Sequence, residues 1–234
     1  MELTRTLPPH LAEILSRDVA TDDKFTALRT VNRQRNARVE EAADRFVEKV
    51  AITFDPRSLP NVGDPFPNFL LPNQYGKLTD RDGFVKGRPA IISFNRGHWC
   101  FYCMLELSVW GRVLSRSDAL ACRFVSIIPE RGKYAGVLKD RCQVSFPVLS
   151  DIDNGFGLSL GLTVALTKEL RAHYYERNDD IGLFQGNPGW FLPVPATFVV
   201  DSDSIILARF AEPEYRTRLD PHDAIGWLKG THSR

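Results

Sequence analysis

The sequence predicts an α/β fold in which a central mixed β-sheet is flanked by helices and preceded by an N-terminal helical extension. Three observations carry this reading. The first sixty residues contain no glycine and hold their apolar residues at helical spacing. Beyond them, short runs rich in β-branched and aromatic residues alternate with helical patterns. The chain then closes with a hairpin pattern and a last helix, an order that suits a mixed sheet.

In the extension, Leu11, Ile14 and Leu15 form one apolar stripe. Phe25, Leu28 and Val31 form a second, and Val39, Ala42, Ala43, Phe46 and Val50 a third. Between the last two lies Asn32-Arg33-Gln34-Arg35-Asn36, polar on every side, which reads as a solvated turn or an exposed helix middle. A helical arm that packs on a partner subunit is the alternative. Pro56 and Pro60 break the pattern, and Asn61-Val62-Gly63-Asp64-Pro65 reads as a linker. The expected division is therefore 1–58 for the extension and 59–234 for the α/β domain.

In that domain, Phe69-Leu70-Leu71 and Lys77-Leu78-Thr79 flank Asn73-Gln74-Tyr75-Gly76, a hairpin signal. Ala90–Phe94 reads as a short buried strand and is followed by a helix over about 102–116. Arg123–Ile128 reads as a second buried strand, with a helix around 131–142 and a short extended piece at Phe146–Leu149. The stretch 155–192 holds helical turns and Gly/Pro-rich loop. Thr197–Val200 and Ile205–Ala208 form a hairpin across Asp201-Ser202-Asp203, and a last helix spans about 221–229.

Thirty basic residues against 29 acidic leave a formal charge of +1, so the chain shows no electrostatic footprint for nucleic acid or an anionic membrane. The opening MELTRTLPPHLAEIL lacks a basic leader followed by a sustained apolar run, and no stretch approaches the ~20 apolar residues of a membrane span. A cytoplasmic protein is expected. Four cysteines in 234 residues do not form a structural disulfide framework. In a reducing compartment a close pair of cysteines points to redox catalysis or to metal.

That pair is Cys100 and Cys103, in Arg96-Gly97-His98-Trp99-Cys100-Phe101-Tyr102-Cys103. Structural zinc needs four ligands, and Cys122 and Cys142 are isolated, so no metal is expected and those two are assigned to the core or an inert surface. The pair follows a buried strand and opens a helix. First-turn amides and the helix dipole favour negative charge there, which lowers a thiol pKa and exposes the reactive thiolate. The i, i+3 spacing brings both sulfurs to one end of the helix, close enough for a disulfide. Arg96 is a candidate for stabilising a thiolate or a departing oxyanion, with a plain surface charge as the alternative. His98 reads as exposed or backbone-bonded, and Trp99, Phe101 and Tyr102 either form an apolar substrate-access rim or simply pack the loop down.

The segment 96–107, Arg-Gly-His-Trp-Cys-Phe-Tyr-Cys-x-x-Glu-Leu, resembles the peroxiredoxin-like branch of the alkyl hydroperoxide reductase/thiol-specific antioxidant family. The likeness extends through 61–69, 146–151 and 195–201 to Phe210-Ala211-Glu212-Pro213-Glu214-Tyr215, in matching order. The resemblance implies a thioredoxin-like fold and reduction of a hydroperoxide by a cysteine thiolate. It further implies a thioredoxin or similar dithiol as reductant, no cofactor, and leaves a homodimer open. The family pattern Thr-x-x-Cys-x-x-Glu places the peroxidatic cysteine at Cys103 and its acidic residue at Glu106. A thioredoxin comparison instead makes Cys100 the attacker and Cys103 the resolver, so both assignments stand at this point.

Two positions depart from the family. Where ordinary peroxiredoxins carry an Arg just before the Thr-Phe of the penultimate strand, this chain has Pro195, which resembles the cis-proline of thioredoxins and leaves Arg96 to substitute. Phe101 stands where relatives place Pro between the cysteines. The expected function is thiol-dependent peroxide reduction. The alternatives are a thiol–disulfide oxidoreductase and a non-enzymatic redox sensor. The insertion around 162–192, with Trp190 and Phe191, either lids the site or fills the surface.

Overall fold

Pro8 and Pro9, preset in φ and needing no helical N–H partner, open the first helix, α1 (Pro9–Ser16). It is followed by α2 (Thr21–Arg35) and α3 (Ala37–Thr53). The polar run between the apolar stripes is the last turn of α2 plus a boundary, where the Asn36 side chain accepts from the Val39 amide and caps α3. The computed structural model describes residues 5–116 and 122–230, so the outer limits predicted for the extension and the domain lie outside the described residues.

The predicted hairpin forms as β1 (Leu70–Pro72) and β2 (Leu78–Asp80), and Asp80 caps the short α4 (Arg81–Val85). Next come β3 (Ala90–Phe94), α5 (Phe101–Arg116), β4 (Arg123–Ile128), α6 (Gly132–Cys142) and β5 (Val148–Ser150). Helical crossovers between these strands make β3, β4 and β5 parallel neighbours. The stretch 155–192 resolves into α7 (Gly155–Ser159), β6 (Thr163–Ala165), α8 (Lys168–Glu176), α9 (Ile181–Gln185) and the start of β7 (Phe191–Pro193). The chain ends with β8 (Ala196–Val200), β9 (Ile206–Ala211) and α10 (Pro221–Lys229).

The central sheet has the order β5-β4-β3-β8-β9, with β8 antiparallel to both neighbours. Every residue of β3 and β8 is buried, as expected for strands covered on both faces. Ile92 lies opposite Phe198, and on that face Phe66 and Phe198 have ring centroids 5.0 Å apart and Phe94 and Phe156 5.8 Å. Ile91 pairs with Phe124 on the other face, where Trp110 from α5 approaches Phe124 at 4.8 Å. Period-two alternation thus divides one strand between two aromatic layers.

The three N-terminal helices pack on this chain's own elements: α1 and α2 on α5, and α3 on α8, so that Leu11, Ile14, Phe25 and Leu28 join the same core as Met104 and Leu105. Segment 95–100 links the carboxyl end of β3 to α5. It lies where the sheet changes from parallel to antiparallel neighbours, the edge at which α/β folds place their ligand sites. Among the described residues, no helix is long and apolar enough to cross a membrane and no cluster of His, Cys, Asp or Glu could hold a metal.

Candidate active site

The strand end is fixed first. The Asn95 amide donates to the Ile127 carbonyl at 2.8 Å, and its side chain donates to Ser93 Oγ at 2.9 Å and Ser126 Oγ at 3.3 Å. The chain then turns at Gly97, whose φ of 140° and lack of a Cβ are both required. A Cβ would come within 2.7 Å of the Glu130 carboxyl. Glu130 clamps the next residue twice, accepting from the His98 amide at 2.8 Å and bonding the ring Nδ1 at 2.9 Å. His98 is therefore buried in a carboxylate pair, stacked on Tyr134 at 4.7 Å, and neither exposed nor free to reach the sulfurs. The sequence hides this because Glu130 arrives from the loop after β4.

Cys100 is the N-cap of α5. Its carbonyl accepts the first helical bond, from Met104 at 3.0 Å, and its sulfur accepts from the Cys103 amide. That is the bond a Ser or Asp side chain makes at this position, so a thiolate here is stabilised by the helix end. Cys103 lies in the first turn and is fully buried. Its sulfur accepts from the Arg96 amide at 3.3 Å and lies 3.6 Å from Arg218 Nη2. Glu106 anchors Arg218 through a 2.7 Å bond to Nε and accepts from Ser93 Oγ at 3.0 Å. All four cysteines are unbridged.

The Arg96 guanidinium is 1% exposed. It lies 3.8 Å from the Tyr215 ring centroid and 5.2 Å from that of Trp99, and Nη2 donates to the Tyr174 hydroxyl at 3.2 Å. Its Nη1 is buried without a partner, and among the described residues no carboxylate pairs with Arg96. Burial pushes the Cys100 thiol up. The hydrogen bond from Cys103 and the charges of Arg96 and Arg218 outweigh burial and bring it down to about 6. Cys103 moves the opposite way, raised by burial and by its hydrogen bond to Cys100. The two sulfurs are thus pushed in opposite directions, Cys100 toward the thiolate and Cys103 toward the thiol.

Cys100 lines a cavity of about 40 Å³ whose inner wall is Arg96, Trp99, Tyr102, Tyr174 and Tyr215. Trp99 and Tyr102 are buried walls, and Phe101 alone of the three predicted aromatics is half-buried like a rim. The outer wall includes Asn32 from α2 and Val39 and Glu40 from α3. Glu40 is held by Arg216 at 3.1 Å, and the same guanidinium binds Asp44 and Glu214, each at 2.7 Å. The insertion supplies Tyr174, whose ring packs on Trp99 at 4.9 Å, so its helix α8 walls the site. Trp190 packs instead on Tyr175, at 4.7 Å.

Of the predicted residues, Cys100, Cys103, Arg96, Glu106, Trp99, Phe101 and Tyr102 come together here. Pro195 does not. No peptide among the described residues is cis, so the likeness to a thioredoxin cis-proline fails. The Val194 amide donates to the Leu162 carbonyl at 2.7 Å and carries the chain extended from β7 into β8, which a trans bond serves. Pro195 borders a separate space of about 10 Å³ beside Arg96. Cys142 is buried against the Met104 carbonyl and pushed by burial up to about 12, and burial also raises half-buried Cys122, so both stay protonated. Sequence reasoning missed Asn32, Glu40, Glu130, Tyr174 and Arg218. The one local signal was the basic run Arg216-Thr217-Arg218 after the last strand.

Comparison with known proteins agrees with this architecture. A profile described as the AhpC/TSA family matches residues 62–209, more than half of the chain. Among solved structures, peroxidoxin BcpB from Mycobacterium tuberculosis superposes with a TM-score of 0.56 at 17% identity, covering 74% of this chain and 98% of that one. A peroxiredoxin-like protein from Aquifex aeolicus gives 0.58 at 11% identity, covering 74% and 89%. Over 113 residues the chain is 29% identical to the thiol:disulfide interchange protein DsbE of Pseudomonas fluorescens biotype C, a match covering 46% of this chain. The match spans 60% of that relative's length. The order of strands and the family match agree, and the chain belongs to the AhpC/TSA family, with a thioredoxin-like fold.

Proposed function

We propose that the protein is a thiol-dependent peroxidase in which Cys100 attacks and Cys103 resolves. The observation that carries this is the buried Arg96. A fully buried guanidinium with no carboxylate partner among the described residues favours an anion beside it, and the group that shares its cavity and is driven toward its ionised form is Cys100. About 40 Å³ is room for roughly two or three water-sized groups, which fits the two oxygens of a peroxide head. Cys103 is fully buried and does not line the cavity that Cys100 and Arg96 share, so the attacking role that the family pattern lends it is reassigned to its neighbour.

The Cys100 thiolate takes the terminal oxygen of the hydroperoxide. The O–O bond breaks, the sulfur becomes a sulfenic acid, and the leaving alkoxide or hydroxide takes up a proton as alcohol or water. Arg96 stabilises the charge that moves from sulfur to the leaving oxygen. Cys103 then attacks the sulfenic sulfur, water leaves, and the Cys100–Cys103 disulfide forms. An external dithiol such as thioredoxin reduces it by exchange and is itself oxidised. Glu106 is a positioning residue that holds Arg218 beside Cys103.

The DsbE match favours a second reading, exchange with protein disulfides. The narrow cavity over Cys100 opposes it, since a disulfide on a folded partner cannot enter so small a space. Rapid mixing of the reduced protein with hydrogen peroxide, beside insulin-disulfide reduction, separates the two. Oxidation far faster than that of a free thiol, with insulin inert, is the expected result. Insulin turnover with peroxide inert would establish the exchange reaction instead.

A further inference from the structure

Beyond the Cys100 cavity the wall opens into a larger cleft of about 390 Å³, a size common among small-molecule sites. Asn32, Val39, Glu40, Phe101 and Arg177 border both spaces, so the cleft is the antechamber of the small cavity. Most of its lining comes from the N-terminal helices, outside the residues 62–209 that match the family. Whatever it recognises is a property of this chain's extension.

Pro8, Pro9, Val39 and Phe101 give the cleft an apolar lining. Arg35 adds an exposed cation to it. Arg35 Nη1 lies 2.8 Å from His10 Nδ1, and among the described residues no carboxylate pairs with Arg35. Burial and the charge of Arg35 both push His10 toward its neutral form, so it accepts from Arg35. Glu40, the acidic group in the lining, is engaged by Arg216. The Arg177 guanidinium faces the Phe101 ring at 5.6 Å and pairs with Asp179 at 2.9 Å. The cleft therefore carries one positive charge with no carboxylate partner among the described residues, beside apolar side chains, and it shares residues with the small cavity that Cys100 lines.

We propose that the cleft takes the organic part of a hydroperoxide that bears a carboxylate, with Arg35 binding the carboxylate and the peroxide end entering the Cys100 cavity. The guanidinium fork matches a planar carboxylate, and the alkyl portion lies along Pro8, Pro9 and Phe101. The chemistry is that proposed above, on which this inference rests. The terminal oxygen passes to the Cys100 sulfur, the O–O bond breaks, and the carboxylate-bearing alcohol leaves with one added proton.

The test is stopped-flow oxidation of the full-length reduced protein by three probes: hydrogen peroxide, a tertiary alkyl hydroperoxide bearing a terminal carboxylate, and its methyl ester. The acid is expected to react about tenfold faster than the ester at low salt, and salt should shrink that ratio because the cation is exposed. In Arg35→Gln the ratio falls toward one, while Arg35→Lys retains part of it. Taking the ratio within each variant removes any general effect of the substitution on folding or thiol reactivity. Equal rates for acid and ester in the wild type, with hydrogen peroxide fast, overturn the proposal and leave the peroxidase reading standing. Failure of all three probes overturns both.

Discussion

Arg96 and Cys100 explain each other. A guanidinium this deeply buried, with Nη1 unpartnered, is costly unless an anion is close, and a thiol this deeply buried stays protonated unless a cation is close. Replacing Arg96 by Met keeps much of the volume and removes the charge. The Cys100 thiolate should then form at higher pH, and the rate with hydrogen peroxide at pH 7 should fall by roughly tenfold, followed by ultraviolet thiolate absorbance and stopped-flow. An unchanged thiolate titration would mean that Cys103, Arg218 and the helix end ionise the sulfur without Arg96. The two cysteines also separate cleanly. Cys103→Ser should accumulate a sulfenic acid on Cys100 after one equivalent of peroxide, seen by mass spectrometry of a trapped adduct, while Cys100→Ser should leave Cys103 unoxidised. Sulfenic acid on Cys103 in the latter variant would reverse the assigned roles.

At the scale of elements, the site is the meeting of one helix end with segments brought from far along the chain. The mouth of α5 was legible in the sequence, because a buried apolar run followed directly by Cys-x-x-Cys and a helical pattern is a local signal. Strands β3 and β4, the closing hairpin and α10 were legible for the same reason. The short β6 and β7 were not, since three-residue strands pair through partners nearly thirty residues away and carry no pattern of their own. Tyr174, Arg218 and Glu40 escaped notice because each reaches the cysteines through tertiary packing alone. Arg216 shows how strong that packing is, joining α3 to the segment before α10 through Glu40 and Asp44. Arg216→Met leaves the buried Glu40 carboxylate unpaired and should lower stability by about 3 kcal/mol, measured by urea unfolding. A change within a few tenths would show that the cluster is solvated and that α3 is held by its apolar stripe alone.

For the whole molecule, family membership accounts for the sheet, and the extension accounts for much of what surrounds the cysteine pair. The N-terminal stripes read from sequence are buried on this chain's own α5 and α8, so the helices complete the core and roof the site together. Their apolar faces were legible, but their destination was not, because periodicity says that a face is buried and not against what. The account as a whole depends on Cys100 being ionised at neutral pH inside a space that admits a peroxide. The most direct measurement is the second-order rate of the reduced protein with hydrogen peroxide as a function of pH. The account predicts a rate orders of magnitude above that of a free thiol, rising as pH increases through about 6 and level above it. A rate like that of a free thiol, or one still rising through the ordinary thiol pKa of about 8.5, contradicts it.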